Sequence, residues 1–337
     1  MVGSAAPKNR IPLLAGSTQR IELGLPHERL TTTLVREESQ RISVLVANTV
    51  PGGKTYSGNF SPLTVNFADL QMHSDGYGAD VESSFFWAHL LLVFHSFVMD
   101  HEADGQMVVD RVDRLVSNRL LVEGLTMLED ATGGDARVRD AIRAVYREHA
   151  SANAARYIVA EDPDRSPIPD ERVFDVASGR AALGFAATHA LALHRGLADD
   201  TILQMRRAYD CLVVGLQWCD DLDDWREDLH TGDENLLLIR LRERRLDAYA
   251  HPDNDLRHAN VGHALVAHGL VDHALAQATV LYSEALAIQE SLGCVALADL
   301  IRKRIEALVP IRDNVLSLID EDIMAQLARS SGDDGLK

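Results

Sequence analysis

The ten prolines of this 337-residue chain are spaced so unevenly that they mark out where long helices can persist. None lies between Pro62 and Pro163, none between Pro169 and Pro252, and none from there to Pro310. Proline removes a backbone donor and clashes with the preceding turn, so stretches without it permit helices of many turns. Within these stretches apolar residues recur at helical spacing, as in Ile202, Met205, Tyr209, Leu212, Val213 and Leu216. The C-terminal stretch repeats the pattern with Leu300, Ile301, Ile305, Leu308, Ile311, Val315 and Leu318. No run alternates at period two for long enough to make a strand. Aromatic residues are only 5% of the chain, which favours helices over a β-sandwich. The expected helices are 29–48, 64–73, 80–104, 108–129, 135–160, 171–195, 199–229, 234–247, 257–292 and 294–327. The expected architecture is all-α: one helical domain over 28–328, with loose tails at 1–27 and 329–337.

A net charge of −18 disfavours nucleic acid and anionic membrane surfaces, both of which call for clustered Lys and Arg. Most of the acidity is equally well read as solubilising surface. Cys211, Cys219 and Cys294 match no disulfide framework and no zinc spacing, so a reducing compartment is expected. No secretory pattern opens the chain. The apolar run from Ala88 to Met99 carries His89, His95 and Ser96, and is too short and polar to span a bilayer. A cytoplasmic location without stable membrane insertion is the expectation.

Against this background Asp220-Asp221-Leu222-Asp223-Asp224 stands out. Four carboxylates within one turn repel, by roughly 1 kcal/mol per pair at ~4 Å in water and more near a protein interior. Leu212, Val213, Val214, Leu216 and Trp218 run into them as an apolar helix. A second group, Asp100-His101-Glu102-Ala103-Asp104, closes the apolar helix that starts near Val81. Asp100 and Asp104, like Asp220 and Asp224, are four apart and share a face. Each group lies toward a helix C-terminus, where negative charge is unfavourable unless a cation compensates it. Mg²⁺ takes one or two carboxylates together with waters and substrate phosphate oxygens. Two such groups could hold two or three Mg²⁺ ions around a diphosphate. Taken singly, each is also compatible with a solvated helix end or an exposed acidic turn.

Gln217 followed by Asp220-Asp221-x-x-Asp224 resembles the second aspartate-rich motif of the trans-prenyl diphosphate synthases. The continuation Trp225-Arg226-Glu227-Asp228-Leu229-His230-Thr231-Gly232 is similar to the squalene/phytoene synthase group, and Asp100-x-x-x-Asp104 resembles the first motif of both. The resemblance is to the class I isoprenoid synthase superfamily and covers roughly residues 80–235. It implies an all-α bundle around a deep central apolar cavity, with Asp100, Asp104, Asp220, Asp221 and Asp224 as metal ligands. It also implies a prenyl diphosphate substrate, and dimers are frequent in the superfamily.

The departures point to one subclass. Chain-elongating synthases show Gly-Gly-Lys-Arg-x-Arg-Pro, whereas Gly52-Gly53-Lys54 is followed here by Thr55-Tyr56-Ser57. His101 replaces the second aspartate of the first motif, Gly105-Gln106 replaces its arginines, and the only lysines are Lys8, Lys54, Lys303 and Lys337. A site for a second diphosphate looks incomplete. The expectation is therefore a terpene synthase that ionises one C15 or C20 prenyl diphosphate and cyclises or quenches the cation. The alternative is a condensing enzyme, head-to-head or chain-elongating; the rival from another class is a non-enzymatic helical scaffold.

Diphosphate needs a cationic partner, and arginine offers a planar fork. Arg172, in an Arg-x-x-Asp pattern with Asp175, and Arg180, after Gly179, are the two candidates on one segment. Gly179 reads as a helix break that exposes carbonyls to the cavity, and Gly184 as a close-packing position. Arg226 reads as a diphosphate ligand or as a partner of Glu227 or Asp223. Phe97 and Val93, one and two turns before the first acids, are expected in the cavity wall. Asp313, Ser317 and Glu321 match a terpene-synthase metal pattern or else line a solvated helix face. His95, His101 and His230 suggest a di-iron helical protein only weakly, because no pair of Glu-x-x-His motifs accompanies them.

Overall fold

The computed structural model describes residues 79–103, 109–160, 169–232, 235–243 and 254–332. Ten α-helices occupy these residues, with no strand among them. They are α1 (Ala79–Ala103), α2 (Arg111–Ala131), α3 (Ala136–Ala160), α4 (Asp170–Arg180), α5 (Ala186–His194), α6 (Asp199–Thr231), α7 (Leu236–Glu243), α8 (Asn254–Ala267), α9 (Leu270–Ser291) and α10 (Val295–Gly332). A 3-10 turn, Ala182–Phe185, separates α4 from α5. The helices expected at 29–48 and 64–73, the tail at 1–27 and the Gly52-Gly53-Lys54 stretch lie outside the described residues. At the other end α10 runs to Gly332, into the stretch expected to be a tail. Among the described residues no single helix is long and apolar enough to cross a membrane.

Two expected helices are each interrupted. The one expected at 171–195 becomes α4, the 3-10 turn and α5. The one expected at 257–292 becomes α8 and α9, bent by 59°. The second break sits at Gly269, whose φ of +65° is a left-handed conformation that glycine adopts without a Cβ penalty. Pro310 does not end α10; it lies on an exposed side of that helix.

The helices pack as two compact units. One takes the described residues up to Asn153, with Gly179–Asp210 and Ile288–Ala298; the other takes Ala154–Ser178, Cys211–Ala287 and the chain from Asp299. In the first, α1 packs along α2 and against the 3-10 turn and α5. Its core holds Phe85, Leu91, Leu92, Leu120, Met127, Leu183, Phe185 and Tyr209. The α2 N-terminus is closed by Asp110, whose Oδ1 accepts from Asp113 N at 2.8 Å. In the second unit Leu212, Leu222, Trp225, Leu237, Val261, Leu265 and Tyr282 are buried. Cys211, Cys219 and Cys294 are all buried, and none of them is in a disulfide.

Candidate functional site

In the first unit α1 buries Phe85, the run Ala88 to His95 and Val98, and is half-exposed at Asp100. Val93 is buried and Phe97 half-buried on the approach to Asp100. The Asp100 carboxylate forms an ion pair with Arg180, which arrives at the end of α4. The sequence brings this arginine there by two steps. Gly179 allows the backbone there to approach Ala152 of α3, since a Cβ at Gly179 would stand 2.7 Å from Ala152 Cβ. The helix then stops, and the carbonyls it releases need new donors. His149 Nδ1 lies 2.7 Å from Arg180 O, and Tyr209 Oη donates to Ala181 O at 2.7 Å.

A buried histidine pair lies behind Asp100. The rings of His95 and His149 are 6.3 Å apart, and His95 Nδ1 is 2.9 Å from Ser117 Oγ. Burial, reinforced by the neighbouring His149, lowers the His95 pKa to about 4. Burial also lowers that of His149, against the opposing pull of the Arg180 carbonyl and Asp100. Both rings are therefore neutral at pH 7. Glu102 pairs with Arg114 of α2. Asp104 lies outside the described residues.

The acidic segment of α6 belongs to the second unit, and the helix separates its carboxylates. Asp220 and Asp223 are exposed and Asp224 is half-buried. Asp221 is 4% exposed and turned inward. Its Oδ1 accepts from Gln217 Nε2 at 2.6 Å and its Oδ2 from Leu236 N at 2.8 Å. Asn235, the N-cap of α7, accepts at Oδ1 from Leu237 N at 3.0 Å and Leu238 N at 3.3 Å. Its Nδ2 donates to Asp221 O at 2.7 Å and to the buried Asp228 at 2.8 Å. Asp221 and Asp228 thus tie α7 to α6, while Asp220 and Asp224, one turn apart, share a more open stripe.

Arg172 is exposed in the first turn of α4, in the second unit. Arg226 reaches α10, where its guanidinium donates to Leu318 O and pairs with Asp322 at 2.8 Å. It is thus engaged, though not by the expected Glu227 or Asp223. Asp313, Ser317 and Glu321 are all exposed, as a solvated helix face requires. Among the described residues no three His, Cys, Asp or Glu side chains stand close enough to hold a metal by themselves.

Two residues that sequence reasoning passed over are prominent. Asn235 carried a readable signal: an N-cap residue type directly before Leu236-Leu237-Leu238. His149 carried none, because its partner is 31 positions away.

No family model matches the chain, and no curated protein matches it. Solved structures do. A decaprenyl diphosphate synthase from Rhodobacter capsulatus aligns over 90% of this chain and 99% of its own, at 17% identity and a TM-score of 0.64. A polyprenyl synthase from Caulobacter crescentus, complexed with calcium and isoprenyl diphosphate, aligns over 89% and 98%, at 16% identity and a TM-score of 0.64. A geranylgeranyl pyrophosphate synthetase from Pyrococcus horikoshii aligns over 88% and 97%, at 17% identity and a TM-score of 0.59. The chain has the all-α fold of the class I isoprenoid synthases.

Proposed function

We propose that the protein is a magnesium-dependent enzyme acting on prenyl diphosphates, and that it condenses an allylic diphosphate with isopentenyl diphosphate. The observation that carries this is the match, over 90% and 89% of the chain, to a decaprenyl diphosphate synthase and to a polyprenyl synthase complexed with calcium and isoprenyl diphosphate. That match favours the condensing alternative over the cyclase expected from sequence.

The donor chemistry is compatible with Mg²⁺. Asp220 and Asp224 offer hard oxygens one turn apart, and Asp100 offers another near the end of α1, with Asp104 four positions further on in the sequence. A site with few carboxylates suits an ion that completes its octahedron with waters and substrate phosphate oxygens. Asp221 fits this role poorly, since both its oxygens accept hydrogen bonds from the protein. It is assigned to holding α7. When bound, magnesium takes up the charge that develops on a departing diphosphate. Arg180 is the preferred diphosphate partner: its guanidinium is already at Asp100. Arg172 is the second candidate, and Arg226, held by Leu318 and Asp322, ranks last. Val93 and Phe97 are assigned to the apolar wall that keeps water from the allylic cation. The allylic C–O bond breaks with its electron pair leaving on diphosphate. The double bond of the second substrate then forms the new C–C bond, and a proton is lost.

A cyclase remains the second reading, on one specific observation: the basic residues that chain-elongating synthases place around their first motif are missing at Thr55-Tyr56-Ser57 and Gly105-Gln106. Purified protein with Mg²⁺ and geranyl, farnesyl or geranylgeranyl diphosphate, with and without isopentenyl diphosphate, separates the two. A longer prenyl diphosphate formed only with both substrates supports condensation. Hydrocarbon or alcohol from the allylic substrate alone supports cyclisation. No diphosphate release under either condition removes the enzyme assignment.

A further inference from the structure

The end of α4 is held at three points within the first unit. Gly179 is lodged against Ala152, the Arg180 guanidinium pairs with Asp100, and the Arg180 carbonyl meets His149 Nδ1 at 2.7 Å. A carbonyl only accepts, so His149 is the donor and its Nδ1 carries the proton. Burial keeps the ring neutral, which leaves Nε2 unprotonated. His149 is 6% exposed. It is itself steadied on α3 by Asn153, whose Nδ2 donates to His149 O at 2.9 Å. Arginine has a long side chain with several rotatable bonds, and the position of its planar fork depends on where the backbone launches it. At Arg180 the chain is leaving an α-helix for a 3-10 turn, so the helix's own ladder no longer fixes that launch point.

We propose that His149 is a positioning residue for Arg180: by donating to the Arg180 carbonyl it sets the direction in which the guanidinium leaves the end of α4, and so sets its grip on diphosphate. This rests on the diphosphate chemistry proposed above. A group that touches no substrate acts here through a backbone atom of the one that does, and a displacement of about 1 Å in such a group is enough to weaken binding and turnover together.

The test is binding of inorganic diphosphate with Mg²⁺, measured by titration calorimetry on the full chain. His149→Asn keeps an amide donor at the position of Nδ1, whereas His149→Gln carries its donor one atom further out. His149→Gln is expected to bind diphosphate about tenfold more weakly with little change in helix content. His149→Asn should stay close to wild type, and His149→Gln should cost nothing more once Arg180→Ala is present. If His149→Gln does not fold, His149→Ala is read in the same way. Unaltered binding by a folded His149→Gln, or losses that add to those of Arg180→Ala, overturns the positioning role alone. Failure of the wild type to bind diphosphate overturns the diphosphate assignment and this inference with it.

Discussion

Asp220 and Asp221 are chemically identical neighbours that α6 delivers to different surroundings. One is exposed; the other accepts hydrogen bonds from Gln217 and the Leu236 amide. Asp221→Ala should therefore cost stability, about 1–3 kcal/mol by urea unfolding, because it leaves a buried N–H without its acceptor. Asp220→Ala should leave the unfolding midpoint nearly unchanged and remove magnesium-dependent turnover. His95 gives a second residue-scale prediction. Its folded pKa, about 4, lies below the ordinary histidine value of 6.5. The folded state binds fewer protons in that window, so the contribution of His95 is full above pH 6.5 and disappears as the pH falls through about 4. The amount is on the order of 3 kcal/mol at most. Urea unfolding between pH 7 and 4 should show a shallower pH dependence for His95→Gln than for the wild type.

At the scale of elements, long helices were legible because proline-free stretches and apolar periodicity agree, as in α6 and α10. Interruptions inside a periodic stretch were not. Gly179 was a candidate break, but α4 runs past it to Arg180, and Gly179 serves a close approach to Ala152. Gly269 is flanked on both sides by apolar residues in helical register, so nothing in the pattern announced a bend. The Arg180–Asp100 pair spans 80 positions and had no local signature. The acidic segments themselves were plain in the sequence. Which of their members turn inward was not, because adjacent helical positions differ by about 100° and burial on one side decides between them. Gly184 supplies a test of the 3-10 turn: a Cβ there would lie 2.1 Å from Tyr209 Oη. Gly184→Ala should lose roughly 1–3 kcal/mol. Tyr209→Phe, which removes the obstructing oxygen, should recover part of that loss in the double variant, measured by thermal unfolding.

For the whole molecule the governing quantity is the charge of −18, which opposes compaction through self-repulsion. Raising NaCl from about 10 to about 150 mM should raise the melting temperature by roughly 2 °C, through screening alone. Mg²⁺ at matched ionic strength should raise it further, because a bound ion stabilises the folded state by mass action. An equal effect of the two salts would remove specific magnesium binding by the protein alone. The three buried thiols add a different kind of handle. A sulfur sealed from solvent meets an alkylating reagent only when the surrounding helices part, so labelling rates become a clock for opening. Cys294 belongs to one compact unit and Cys211 and Cys219 to the other, so a single labelling time course, resolved by peptide, times the breathing of each half separately.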